Sequence, residues 1–226
     1  MKAPREQLAL DLPVEPRYGV EDFLVSACNE EAYQRIEAWP RWPDPVLVLV
    51  GPPGCGKSHL GAIWAARAQA RSVAAASLGL ADLPALAAAG AVLVENGQGI
   101  DGAEAALFHL LNLARESGCF ALITANAPPD RWGLKTPDLL SRLRLAPLVG
   151  IGAPDDALIR AVLVKQFIDR QLVVDVGLID FLALRIERSL AAARAAVAEL
   201  DRAALAQGRR VTRAMASEWL KSKEAD

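Results

Sequence analysis

Residues 46–50 read VLVLV, five consecutive apolar positions with valine at every second place. The run lies between the proline-rich WPRWPDP and a glycine-rich loop, which predicts a strand buried on both faces, the habit of a parallel sheet. Clear strands are also predicted at 91–95 and 120–124 (FALIT), a last one in APLVGI, and a weak one near 72–77. Helices are predicted at 28–38, after Lys57, over 103–116 and over 137–143. This alternation predicts a doubly wound α/β layer on a parallel five-stranded sheet. After about Pro154 only helices follow, over 155–170, 177–186, 189–207 and 212–222. The change of class divides the chain into an α/β core, 18–153, and a small all-helical C-terminal segment, 154–226. Residues 1–17 carry three prolines and mixed charge around one apolar island, QLALDL, and read as an extended, mobile tail.

Composition adds bounds. The 226 residues, 53% hydrophobic and 23% charged, suit a globular core with a small satellite, and the abundance of Ala and Leu favours helix. A net charge of −2 provides no overall basic field for nucleic acid. Locally, residues 185–213 hold seven arginines against three acids, a mildly basic face that is ordinarily solvated and could also touch DNA. Cys28, Cys55 and Cys119 have no framework spacing, which favours reduced thiols and a cytoplasmic setting. The N-terminus lacks the apolar core of a signal peptide, and no apolar run approaches the ~18 residues of a membrane helix. A soluble protein without membrane partners is expected. His59 and His109 have no companion ligands for a metal, and the five tryptophans read as packing, with Trp132 alone on a loop near the candidate site.

The chemistry begins at GPPGCGKS, residues 51–58, which satisfies G-x-x-x-x-G-K-[ST] with Gly51, Gly56, Lys57 and Ser58. On the order of one chain per hundred of this length matches by chance, but here the match sits between a buried strand and a helix. Glycines let backbone N–H groups turn inward as an anion nest, and a helix N-terminus adds partial positive charge. Lys57 suits the β/γ-phosphates, and Ser58 offers a hydroxyl to Mg²⁺. Glu95 ends the 91–95 strand where a Mg²⁺-water ligand belongs. Asn96 follows it and cannot accept a proton near neutral pH, so it can orient a water but not deprotonate one. Asn126 lies just past FALIT, where an amide can reach a γ-phosphate or hold the attacking water.

A P-loop, a polar strand-end pair, an Asn after the next strand and a helical lid together resemble an AAA+ ATPase. YGVEDFLVSACNEEAY is similar to the F-x-V-x-x-x-N-x-x-A pattern at the entry to the ATPase core of the DnaA initiator family, with Phe23, Val25, Asn29 and Ala32 matching. DLLSRLR resembles that family's arginine-finger segment and places Arg142 at the finger. ELDRAALAQGRRVT resembles the last lid helices. At the position of the family's nucleotide-sensing lid arginine stands Ala191, with Arg188 and Arg194 one turn to either side. The resemblance covers about residues 17–222 and includes no counterpart of the initiator's helix-turn-helix. With QLALDL it is similar to the Hda group of DnaA-homologous regulators. There, a Q-L-x-L-P-L peptide binds the DNA-polymerase sliding clamp; Gln7, Leu8, Leu10 and Leu12 match, and Asp11 replaces the proline.

The resemblance implies ADP or ATP with Mg²⁺, held by Gly51, Pro52, Pro53, Gly54, Cys55, Gly56, Lys57, Ser58 and His59, with Glu95, Asn126, Phe23 and Val25 as further nucleotide-binding residues. It implies the sliding clamp and the initiator DnaA as partners, DNA only through the clamp, and leaves self-association open. The expected role is a clamp-tethered regulator that stimulates hydrolysis of the initiator's ATP through Arg142 in trans, with weak intrinsic ATPase activity. The alternative is an autonomous AAA+ ATPase that loads a helicase or remodels DNA.

Overall fold

The structure, a computed structural model, describes residues 19–225. Gln7, Leu8, Leu10 and Leu12 therefore lie outside the described residues. The chain divides into two compact units, one ending at Ala153 and one beginning at Pro154.

In the first unit the strands are β1 (Val46–Val50), β2 (Arg71–Ala74), β3 (Ala91–Glu95), β4 (Phe120–Ala125) and β5 (Leu148–Gly150). They form one sheet in the order β2-β3-β4-β1-β5, and all paired neighbours are parallel. The helices are α1 (Glu30–Glu37), α2 (Lys57–Ala68), α3 (Leu83–Ala88), α4 (Glu104–Ser117) and α5 (Pro137–Leu145). Strand side chains alternate between faces. Val46, Val48 and Val50 join Val92, Val94, Ala121 and Ile123 in one core with Leu107, Leu110, Leu111 and Leu143. Leu47 and Leu49 face the opposite side with Leu93 and Leu122, against Ile36, Leu60, Ile63 and Trp64. All five residues of β1 are buried, so this interior strand has no solvent face.

Two local differences from the sequence reading have clear causes. The weak strand ends at Ala74 rather than running to 77, because residues Ala75–Leu80 turn into a 3-10 helix that buries Ala75 and Leu78, three positions apart, on one side. The short helix α3 was not foreseen. Asp82 caps it by accepting from the Ala85 N–H at 3.1 Å, and Pro84 occupies its first turn.

The second unit holds α6 (Asp156–Asp169), α7 (Val176–Ala183), α8 (Leu190–Gln207) and α9 (Arg213–Ala225). Each helix starts on a short polar side chain. Asp155 accepts from the Leu158 N–H at 2.7 Å, Asp175 from Leu178 at 2.8 Å, Ser189 from Ala192 at 3.0 Å and Thr212 from Met215 at 3.3 Å. Gly208 (φ 60°) ends α8 in the left-handed conformation. Leu158, Leu163, Phe167, Leu182, Ala193, Val197 and Leu200 fill its interior. No helix among the described residues is long and apolar enough to cross a membrane.

Candidate nucleotide-binding site

The loop after β1 is shaped by its glycines. A Cβ on Gly51 would meet the Ile151 carbonyl oxygen at 2.5 Å and Cys55 Sγ at 2.8 Å, so no larger residue fits there. Gly54 (φ 71°) and Gly56 (φ 111°) adopt backbone that L side chains rarely hold. Cys55 is fully buried beneath the loop, and burial pushes its thiol pKa up, leaving a packed thiol rather than a reactive thiolate. Lys57 opens α2 and donates from Nζ to the carbonyls of Gly51 at 2.7 Å and Pro52 at 2.8 Å, tying the loop into a ring. Its burial lowers the ammonium pKa. Ser58 is exposed one residue further, and Pro52 and Pro53 are exposed at the loop's rim. A backbone cradle that a Cβ would obstruct, at the N-terminus of a 12-residue helix and beside a lysine, fits a phosphate chain. A cation bound to such a chain would find the Ser58 hydroxyl and the Glu95 carboxylate as its protein oxygens, and would supply charge neutralisation there.

The strand ends assemble beside this loop. Val50 pairs with Ala125, and Val94 with Ile123, so β1, β3 and β4 finish at the same carboxyl edge of the sheet, where open α/β folds bind ligands. Glu95 is half-buried at the end of β3. Asn96 stands at φ 57°, ψ 52°, left-handed backbone that Asn tolerates better than most residues, and its N–H donates to Thr124 Oγ1 at 3.3 Å. Gly97 is buried under Trp132, whose Nε1 donates to the Ala127 carbonyl at 2.7 Å. Gln98 Oε1 accepts from the Asn126 N–H at 2.9 Å, which fixes the backbone of Asn126 and leaves its exposed amide side chain at the edge. Thr124 and Gln98 had no part in the sequence reading. Thr124 could have been noticed as the polar residue inside FALIT, and it is 3% exposed.

The segment ahead of α1 packs on the P-loop helix. Phe23 is buried, stacked on Tyr33 with ring centroids 5.7 Å apart and set edge-on to His59 at 5.3 Å. His59 Nε2 lies 3.0 Å from the Gly19 carbonyl oxygen. Phe23 and His59 are thus spent on joining this segment to α2, while Val25 is exposed. Asn29 is 2% exposed and closes the turn at 24–29 from within. Its Oδ1 accepts from the Ser26 N–H at 2.8 Å and its Nδ2 donates to the Leu24 carbonyl at 2.9 Å. The Gly152 N–H then donates to the Cys28 carbonyl at 2.7 Å, anchoring the turn to the residues after β5.

Arg142 and Arg144 both lie exposed on α5 and differ in their engagement. Arg144 is paired with Asp130. The Arg142 guanidinium makes no ion pair or hydrogen bond among the described residues, Asp138 included. Its backbone is nevertheless fixed: Arg115 of α4 donates to the Arg142 carbonyl at 3.4 Å and also bridges to Asp44 at 3.3 Å. In the helical unit, Arg188 is paired with Asp156, whereas Arg194 is half-buried in α8 with no ion-pair partner among the described residues. No group of three His, Cys, Asp or Glu side chains placed to hold a metal occurs among the described residues.

This sheet order, with a P-loop after β1 and helices following the core, defines the fold as that of AAA+ domains. Domain III of the Thermotoga maritima replication initiation protein DnaA is similar over 93% of this chain and 98% of its own length, with TM-score 0.77 and 21% identity. AMPPCP-bound DnaA from Aquifex aeolicus matches 82% of this chain with TM-score 0.69 and 19% identity, and this chain spans 65% of it. The Thermotoga maritima RuvB Holliday junction branch migration motor matches 91% of this chain and 72% of its own, with TM-score 0.70 and 14% identity. No family model and no curated protein matches the sequence.

Proposed function

We propose that this chain is a DnaA-related AAA+ regulator that binds ADP or ATP with Mg²⁺ at Gly51–Ser58 and acts on nucleotide held by the initiator. Similarity to AMPPCP-bound DnaA supports an adenine nucleotide as ligand. The observation that carries the regulatory reading is Arg142: a guanidinium unpaired among the described residues, on a backbone held by Arg115 and beside an arginine that is already paired. An arginine offered across an interface stabilises charge on a γ-phosphoryl group under transfer and is worth ~10³–10⁵ in rate. Asn96 supplies no general base next to Glu95, which supports slow turnover of the chain's own nucleotide. Residues 7–12 tether the protein to the sliding clamp in this reading, and 18–153 and 154–226 act as core and lid.

The test is hydrolysis of initiator-bound ATP with clamp, DNA and this protein together. Arg142→Ala is expected to abolish the stimulation while nucleotide and clamp binding persist. Undiminished stimulation would remove Arg142 from the role. An autonomous motor is the second reading, favoured by the similarity to RuvB. Turnover of several ATP per second by the purified protein alone would favour it.

A further inference from the structure

The cations of the C-terminal unit separate into two sets. Arg160, Lys165, Arg170, Arg188 and Arg202 are engaged with Asp180, Asp169, Asp201, Asp156 and Glu199. Arg185, Arg194, Arg209, Arg210, Arg213, Lys221 and Lys223 have no carboxylate partner among the described residues, although the whole chain carries a net charge of −2. Five of these seven, Arg185, Arg209, Arg210, Arg213 and Lys223, are linked through shared rings and depressions. Arg185 lies 4.2 Å and Arg213 4.7 Å from the Phe181 ring centroid, so one ring holds both guanidiniums and joins the end of α7 to the start of α9. Arg209 and Arg210 sit four and three residues before Arg213, on the rim of a depression of about 310 Å³ with Gln171 and Val173. Arg185 also lines a second depression, about 220 Å³, with Lys223 and Trp219, and Lys223 Nζ stands 5.0 Å above the Trp219 ring.

We propose that this face of the helical unit, built by Arg185, Arg209, Arg210, Arg213 and Lys223, is a binding surface for the phosphate backbone of duplex DNA. Charge complementarity gives the class of ligand: five uncompensated cations, from the end of α7, the α8–α9 connection and α9, form a polyvalent surface for a polyanion. The aromatic rings select the duplex. A surface for single strands offers open rings on which bases stack. Here Phe181 is occupied by two guanidiniums and Trp219 by an ammonium, so the rings orient cations and leave phosphate contacts as the available chemistry. Among the described residues, Glu187 lines the smaller depression with Arg185 and Lys223 and is paired with neither. This surface does not depend on Arg142 or on the P-loop.

The experiment is fluorescence anisotropy of a labelled 30-base-pair duplex, and of one of its strands, with the full chain. Duplex binding is expected to be tighter than single-strand binding, and log K should fall with log salt at a slope of about −4.5 if all five cations contact phosphate. The triple variant Arg185→Gln, Arg210→Gln, Arg213→Gln is expected to weaken duplex binding at least tenfold and to reduce the slope by about 3. It should keep its P-loop affinity for fluorescent ADP, which verifies folding. Lys165→Gln, a change at a paired cation of the same unit, should stay within twofold of the parent. Equal duplex affinity in parent and triple variant overturns the proposal. So does tighter binding of the single strand, or displacement of duplex by polyglutamate at matched charge concentration.

Discussion

Gly97 is where the geometry of the strand-end site can be tested through stability. A methyl group there would lie 2.6 Å from Trp132 Cη2, 2.8 Å from Ile123 Cγ2 and 3.1 Å from Trp132 Cζ2. Neither neighbour gives way readily, because Ile123 is fully buried in the central sheet and Trp132 is held through its Nε1 by the Ala127 carbonyl. Contacts this short require shifts of several tenths of an ångström or more, and overpacking of that kind costs about 1–3 kcal/mol. At about 2–4 °C per kcal/mol for a chain of this size, Gly97→Ala should lower Tm by about 4–8 °C for a loss of 2 kcal/mol. Gly99, two residues on, is an internal control. Its Cβ would meet nothing within 4 Å and its φ is not positive, so Gly99→Ala should be neutral or slightly stabilising. Residues Gly97–Gly99 form a 3-10 turn, and its displacement would carry Gln98 away from the Asn126 N–H, so nucleotide affinity should fall for Gly97→Ala and hold for Gly99→Ala. Thermal unfolding and titration with fluorescent ADP read the two effects. Equal Tm values for the two variants would refute the packing argument, and equal Tm with unequal affinity would separate packing from positioning.

Other expectations rest on single contacts. Glu104 accepts from the N–H groups of Lys135 and Thr136 at 2.9 and 2.8 Å, and the Lys135 N–H leads the interactions that hold its carboxyl below the ordinary range. A depressed folded pKa means stabilisation present above the unfolded value and lost as pH falls through the folded one. Glu104→Gln should therefore be less stable than the parent at pH 7, with the difference shrinking in acid urea titrations; a constant difference would contradict this. Asn29→Ala orphans the Ser26 N–H and Leu24 carbonyl and should cost about 1–3 kcal/mol by urea denaturation, with weakened nucleotide binding because the 24–29 turn carries Val25. Asn96→Asp should show a higher ATPase rate than the parent without lowering Tm, since Asp also tolerates left-handed backbone. An unchanged rate would make the amide incidental to turnover.

The fold was legible where the signal is local. VLVLV and FALIT state burial on two faces within five residues, and the caps at Asp155, Asp175, Ser189 and Thr212 lie at the starts of helices already marked by pattern. The P-loop likewise lists its own requirements, since Gly51, Gly54 and Gly56 each answer a steric demand within eight residues. Helix α3 escaped because six Ala- and Leu-rich residues hold less than two turns of pattern, and its cap Asp82 is indistinguishable from a loop acid until the turn is seen. Arg115 escaped for the opposite reason. Its role joins Asp44 and Arg142 across 71 and 27 residues of sequence, and nothing in α4 marks that arginine as different from any solvated one.

Asn96 marks the limit of reading chemistry from residue type. From sequence, an amide in place of a second acid signals a site without a general base. In the structure the same position has φ 57°, and its N–H is held by Thr124. Asn is among the few residues with a side chain that settle in this conformation, so the backbone alone accounts for a short polar residue there. The choice between Asn and Asp is not made by the backbone, because both are tolerated. What remains chemical at Asn96 is only the difference between an amide and a carboxylate on an already fixed frame. That frame is set by Thr124 and by the buried Gly97, residues with no proton to give or take in hydrolysis. The backbone frame at Asn96 and the functional group it carries are thus separable: Asn96→Asp changes the second and leaves the first in place.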